Sequence, residues 1–231
     1  MNVEKPGLKF YIDKIKQNKP FSFVRYGNGE WDCILELWHQ TRSRSQKFNP
    51  SLREALKASL TVKRKGDYFT AMQSTSFLQR TGILPKAESW LSVNAPDHTW
   101  YNGEVFTRAA IKGKLYPLIA ALKQQRVVVV GPPWLMKLKF ASVFMPVAKR
   151  NCWKDIDVIK AQLRNVKRSV VSFSAGPATK VLIHYLQPII GNSCWLIDFG
   201  SLWDPYCGVN SRRYHGRMNP EKLAMNMKGK A

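Results

Sequence analysis

The sequence predicts an α/β domain of Rossmann-like type, a mostly parallel sheet flanked by helices, and two observations carry that prediction. Short β-branched runs alternate along the chain with stretches of helical spacing. The run "VVVV" at 127–130 is apolar at every position, so a strand there is covered on both faces, as strands of parallel sheets are. A chain of 231 residues, 45% hydrophobic, can bury one sizeable core. A single domain is expected over residues 1–208.

Taken in order, "FSFVRY" (21–26) is the first strand, and Trp31, Ile34, Leu35 and Trp38 behind it fall on one face of a helix. "SLREALKASL" (51–60) continues as a helix and "DYFTAM" (67–72) as a strand. Residues 73–112 show the least regular pattern and are expected to form an irregular inserted segment or a lid over a site. Beyond them lie a helix at "LYPLIAAL" (115–122), strands at "VVVVG" (127–131) and "SVFMPV" (142–147), and a helix at "DIDVIKAQL" (155–163). "SVVSFS" (169–174), "ATKVLIHYL" (178–186) and "CWLIDFG" (194–200) give a strand, a helix and a closing strand. The tail, 209–231, is rich in cations and lacks a periodic apolar face, so it reads as a basic arm on the surface.

Charge bounds the partners. Against 37 Lys and Arg stand 15 Asp and Glu, a net charge of +22 with a pI near 10.1, which points to a polyanion such as nucleic acid or an anionic membrane surface. No apolar run approaches the roughly 20 residues that span a bilayer, and the first twenty residues lack the apolar core of a signal peptide. A soluble cytoplasmic protein without stable membrane insertion is therefore expected. The four cysteines, Cys33, Cys152, Cys194 and Cys207, are far apart and form no C-x-x-C pair, which argues against a zinc site or a disulfide framework.

Ligands of open parallel sheets bind beyond the carboxyl ends of strands, where loops lead into helix N-termini. Three segments have that form. In "VVVVGPPW" the turn glycine is Gly131, and in "SFSAGPATK" the loop carries Ser174, Gly176, Thr179 and Lys180, positioned to meet a diphosphate. Glycine-proline turns of this kind also serve structure alone, and neither matches a G-x-x-x-x-G-K-S/T loop. The third segment, Arg25-Tyr26-Gly27-Asn28-Gly29-Glu30, brackets an amide with two glycines and ends on a carboxylate. Asn28 and Glu30 suit a helix cap and its first turn. On a glycine-flanked loop they can also converge on one hard cation. Asp32 adds a carboxylate, but on a different helix face.

"VRYGNGEWDCI" resembles the R-[FY]-G-D-G-E segment of the GT-D type of glycosyltransferases. The order downstream is similar as well: "VVVVGP", "FMPVAKRNCWKDID", "SFSAGPATKVLIHYL" and "WLIDFGSLWDPYCG". The resemblance spans residues 21–208. It implies a nucleotide-sugar donor, most simply a UDP-sugar such as UDP-glucose, and an Asp-x-Glu motif associated with a divalent metal, Mg²⁺ or Mn²⁺. Glu30 matches that motif. Asn28 stands where the family pattern has Asp, which removes one negative charge and lowers the expected metal affinity.

Candidate bases for deprotonating an acceptor hydroxyl are Asp198 and Asp204, at a strand end and the loop after it, and His98 in "APDHTWYNGE". Asp198 tied to backbone and Asp204 in an Asp-Pro turn are the structural readings of the same residues. The charge excess fits DNA as acceptor. Arg212, Arg213 and Arg217 suit phosphates, and some of Trp90, Trp100, Trp134 and Trp203, with Trp100 and Trp203 favoured, suit stacking on an extruded base. A 5-hydroxymethylpyrimidine, such as 5-hydroxymethylcytosine in viral DNA, offers the primary alcohol that unmodified bases lack. A bacteriophage enzyme at work in the host cytoplasm is the leading expectation. Transfer to a cell-surface or protein-linked glycan, another transferase acting on modified DNA, and a non-catalytic nucleic-acid-binding protein are the alternatives.

Overall fold

In the computed structural model, which describes residues 3–37, 46–47, 49–62 and 64–228, eight strands form one parallel sheet. They are β1 (Val3–Glu4), β2 (Ser22–Tyr26), β3 (Tyr68–Met72), β4 (Trp100–Asn102), β5 (Arg126–Gly131), β6 (Val143–Pro146), β7 (Ser169–Phe173) and β8 (Trp195–Asp198). Their order across the sheet is β1-β4-β3-β2-β8-β7-β5-β6, every pairing parallel.

Side-chain alternation sorts each central strand between two cores. Phe21, Phe23, Val127, Val129, Val170 and Ile197 face one side, where α1 (Leu8–Lys16), α6 (Val105–Ile111) and α7 (Tyr116–Leu122) cover them. Val24, Tyr26, Val128, Val130, Val171 and Leu196 face the other, under α2 (Asn28–Ile34), α3 (Pro50–Thr61), α4 (Thr75–Arg80), α5 (Ile83–Asn94), α8 (Ile156–Leu163) and α9 (Ala178–Ile190). This two-sided burial is why the strands read as unbroken apolar runs. Trp38, expected on the helix after the first strand, lies outside the described residues.

Two expectations are corrected. Residues 73–112 are not an irregular insert: they carry α4, α5, β4 and α6, and β4 sits within the sheet between β1 and β3. A three-residue strand is too short to show a period. The tail, read as a basic surface arm without an apolar face, is anchored to the body over its described residues. Its helix α10 (Pro220–Lys228) packs on α6 and α7 through a buried polar side chain, Asn226. The Asn226 Oδ1 accepts the Leu115 N–H at 2.8 Å, while its Nδ2 donates to Ala110 O at 2.8 Å and to the Tyr206 hydroxyl at 2.9 Å. All four cysteines are buried and free. Among the described residues no helix is long and apolar enough to cross a membrane.

Candidate functional site

Because the strands run parallel, the loops after β2, β3, β4, β5, β7 and β8 all open at one edge of the sheet. The loop after β2 turns directly into α2. Gly27 occupies the cap, and its N–H donates to Glu30 Oε2 at 2.9 Å, so the glutamate folds back over its own turn. A Cβ at Gly27 would stand 2.5 Å from Gln73 Oε1, so a larger residue here would push the Gln73 side chain away from the turn. Gln73, directly after β3, also accepts the Asn28 N–H at 3.4 Å. Nothing in its sequence surroundings marks Gln73; only the pairing of β2 with β3 brings it to this turn.

At the base of the edge lies an ion cluster. Lys180, in the first turn of α9, places its ammonium 2.7 Å from Glu30 Oε1 and 2.9 Å from Asp198 Oδ2. The three residues are only 4%, 8% and 2% exposed. Lys180 Nζ also donates to Gly176 O at 3.3 Å. Asp198 Oδ1 accepts the Gly200 N–H at 3.0 Å, and Oδ2 accepts the Arg25 N–H at 3.3 Å. Burial pushes the Glu30 carboxyl up, but the Lys180 ammonium and the Gly27 N–H outweigh it and hold the group below its ordinary value. Burial likewise pushes Lys180 down, and the Asp198 and Glu30 carboxylates hold it above its ordinary value. Both stay charged at neutral pH. Asp32, half-buried on α2, is pushed up to about 6 by burial and by Glu30.

The Arg25 side chain leaves this cluster along the edge. A Cβ on Gly103 would meet Arg25 Cγ at 2.9 Å, and one on Gly200, whose φ is +56°, would run into the guanidinium. Glycines after β4 and β8 therefore form the channel that Arg25 occupies. Two polar atoms at the same edge, Asn28 Oδ1 and Ser174 Oγ, are shielded and have no hydrogen-bond partner among the described residues. Such atoms are rare in native folds and mark where a ligand group is expected to pair.

The structure thus brings Arg25, Gly27, Asn28, Gly29, Glu30, Ser174, Gly176 and Lys180 to one edge with Asp198. Several expected roles change. Tyr26 is fully buried, its hydroxyl 2.7 Å from Ser59 Oγ and its ring against Trp31 and Trp100, so it belongs to the core and not to a donor site. Thr179 Oγ1 accepts the Ala175 N–H at 3.1 Å and closes its own turn. Gly131 is packed under Leu135 and Ser174. Lys180 points inward to carboxylates and not outward to a phosphate.

The expected bases are committed elsewhere. Asp198 is engaged by Lys180 and by two backbone N–H groups, which hold its carboxylate in the ion cluster. Asp204 is 3% exposed, accepts the Trp134 Nε1–H at 2.9 Å and takes a second hydrogen bond from the Ser211 hydroxyl. His98 precedes β4, at the opposite edge of the sheet, with its ring 4.7 Å from that of Trp100. Trp100 and Trp203 are 1% and 0% exposed, so neither is available to stack on a base. Trp203 donates instead to Ser172 Oγ at 3.0 Å. Trp90 packs edge-on against Trp31. Trp134, partly buried like Trp90, lies at the site edge after β5, with Lys149 Nζ 5.4 Å over its ring. Arg212, Arg213 and Arg217 are exposed, on the segment that the Tyr214 hydroxyl ties to Ser201 Oγ at 3.0 Å beside the end of β8.

A divalent ion held by Asn28 and Glu30 does not fit this donor set. Glu30 has one oxygen on the Lys180 ammonium and the other on the Gly27 N–H, and Asn28 brings no charge. Among the described residues no group of three or more His, Cys, Asp or Glu is placed to hold a metal.

No protein-family model matches the chain, and no curated protein matches it. Solved structures do. A selenomethionine structure of domain of unknown function 1792 superposes with a TM-score of 0.69 at 16% identity, over 94% of this chain and 89% of the other. A second structure of that domain, described as having a distinct glycosyltransferase fold, gives a TM-score of 0.64 at 17% identity over 99% and 91%. A glycosyltransferase of the same domain type from Streptococcus sanguinis gives 0.67 at 15% over 100% and 95%. The chain shares the fold of these structures over 94% or more of its length.

Proposed function

We propose that the chain is a glycosyltransferase that moves a sugar from a nucleotide-sugar, UDP-glucose in the simplest case, to a hydroxyl acceptor. The favoured acceptor is 5-hydroxymethylcytosine in DNA. The transferase reading is carried by one coincidence: the edge that gathers Arg25, Asn28, Glu30, Ser174 and Lys180 is the ligand-binding edge of a parallel sheet, in a chain similar over 99% of its length to a structure described as having a distinct glycosyltransferase fold.

In the reaction the acceptor oxygen bonds to the anomeric carbon as the bond from that carbon to the diphosphate breaks. The nucleoside diphosphate leaves with the electron pair, and the hydroxyl proton is released. The groups here suit the leaving side. Arg25, fixed between Gly103 and Gly200, offers a guanidinium for developing phosphate charge, and Ser174 Oγ and the Asn28 amide offer uncommitted polar atoms.

The DNA acceptor is supported by the +22 charge, by the exposed Arg212, Arg213 and Arg217 beside β8, and by the Lys149–Trp134 pair at the same edge. The test is incubation with UDP-glucose and duplex DNA containing cytosine or 5-hydroxymethylcytosine, followed by mass spectrometry of digested nucleosides. A hexose adduct on the modified base alone is expected. Transfer to a glycan but to no DNA would overturn the acceptor. Salt-sensitive DNA binding with no donor consumed would leave a binding protein in place of an enzyme.

A further inference from the structure

We propose that the Lys180 ammonium takes the place of a divalent ion between Glu30 and Asp198, so that the site holds its carboxylates with a built-in cation and no metal is required. This rests on the donor reading above and deepens it. Lys180 sits between the only two carboxylates that the cluster contains, Glu30 at 2.7 Å and Asp198 at 2.9 Å, which is where a hard cation bridging them would have to lie. It does so from the first turn of α9, where the helix dipole disfavours a cation, so the local helix gives no reason for a lysine at this position. The two carboxylates supply that reason.

Charge balance runs the same way. Glu30 and Asp198 are matched by Lys180 and Arg25, whose charges both act on Glu30. A divalent ion added at Glu30 would meet a buried ammonium at close range, with Asn28 contributing no compensating charge. Asn28 and Lys180 therefore belong together: the amide lowers the demand for a metal, and the ammonium satisfies the carboxylate that remains. Lys180 is a positioning residue, since it holds Glu30 and through it the Gly27 turn, while Arg25 faces the ligand edge.

Two measurements on the wild-type chain, with Glu30→Gln as the control for where any Mn²⁺ binds, test this. Electron paramagnetic resonance of added Mn²⁺ should show binding no tighter than about 1 mM. UDP-glucose consumption should change less than about twofold between EDTA and excess Mn²⁺. Micromolar Mn²⁺ binding that disappears in Glu30→Gln, or a loss of tenfold or more in EDTA, overturns the inference. Calorimetry with UDP separates it from the broader reading: no UDP binding with or without Mn²⁺ overturns the donor site itself. A gain-of-function variant completes the test. Asn28→Asp combined with Lys180→Ala should acquire Mn²⁺ binding. If it keeps the wild-type circular dichroism spectrum and binds none, Lys180 does not occupy a metal position.

Discussion

Glu30 and Lys180, on α2 and α9 on opposite sides of the chain's length, form a nearly buried ion pair with Nζ 2.7 Å from Oε1, and Asp198 completes it from the end of β8. The cluster is asymmetric, and its variants should differ for that reason. Lys180→Met leaves two carboxylates facing each other without a cation and should cost about 3–5 kcal/mol of unfolding free energy. Glu30→Gln leaves the Lys180–Asp198 pair intact and keeps an acceptor for the Gly27 N–H, so its cost should be nearer about 1.5–3 kcal/mol. Urea unfolding of the two variants checks the order. Equal losses would mean that Asp198 does not share the ammonium.

Asn226 makes a second stability prediction. Replacing it by Ala leaves the buried Leu115 N–H without its acceptor and removes one donor each from the Tyr206 hydroxyl and from the Ala110 carbonyl, which keeps the Gly113 N–H. The orphaned Leu115 N–H alone costs about 1–3 kcal/mol. Urea unfolding of Asn226→Ala should therefore show a loss well above that of an exposed substitution such as Lys222→Ala. A loss below about 0.5 kcal/mol, the range of ordinary surface changes, would show α10 to be undocked.

These cases mark what the sequence can and cannot say. The central strands are legible because parallel strands buried on both faces leave apolar runs, as at 127–130, and the edge strand β6 is legible from its β-branched and aromatic residues although it is only partly buried. The two- and three-residue strands β1 and β4 are too short to leave any pattern. Helix α10 is hidden because a polar residue, Asn226, anchors it. In the site, Gly27 and Glu30 are legible as a turn and its acid, since their interaction is local. Lys180 with Glu30 is not, because the pair forms only once α9 crosses β2 and β8. Trp100 and Trp203 show the remaining gap: an amphipathic side chain does not reveal its depth.

His184 gives a pH prediction. Its Nδ1 accepts the Arg64 Nε–H at 3.2 Å, which requires a neutral ring, and burial together with Arg64 pushes its pKa down to about 4. The unfolded chain binds this proton from about pH 6.5 downward. The stability associated with neutral His184 is therefore complete above pH 6.5 and is lost as pH falls toward 4. His184→Gln, which retains an acceptor for Arg64, should flatten that limb of a plot of urea midpoint against pH. An unchanged slope would assign the acid limb to other groups.

The proposed DNA acceptor makes a prediction in which charge and stacking separate. Arg212, Arg213 and Arg217 are exposed on the segment beside β8, so each one that contacts a phosphate releases a counterion on binding. Replacing any of them by Ala should lower the slope of log affinity against log salt by about 0.9, measured by fluorescence anisotropy with hydroxymethylated duplex. Trp134→Phe keeps an aromatic body but removes the indole N–H held by Asp204, whereas Trp134→Ala removes the partly exposed ring, in neither case removing a charge. Trp134→Ala should weaken binding by about 1–3 kcal/mol and leave the salt slope as it was. A Trp134 variant that shifted the slope, or arginine variants that did not, would place the nucleic acid away from the edge shared by β5 and β8, and the acceptor would have to be sought on another face.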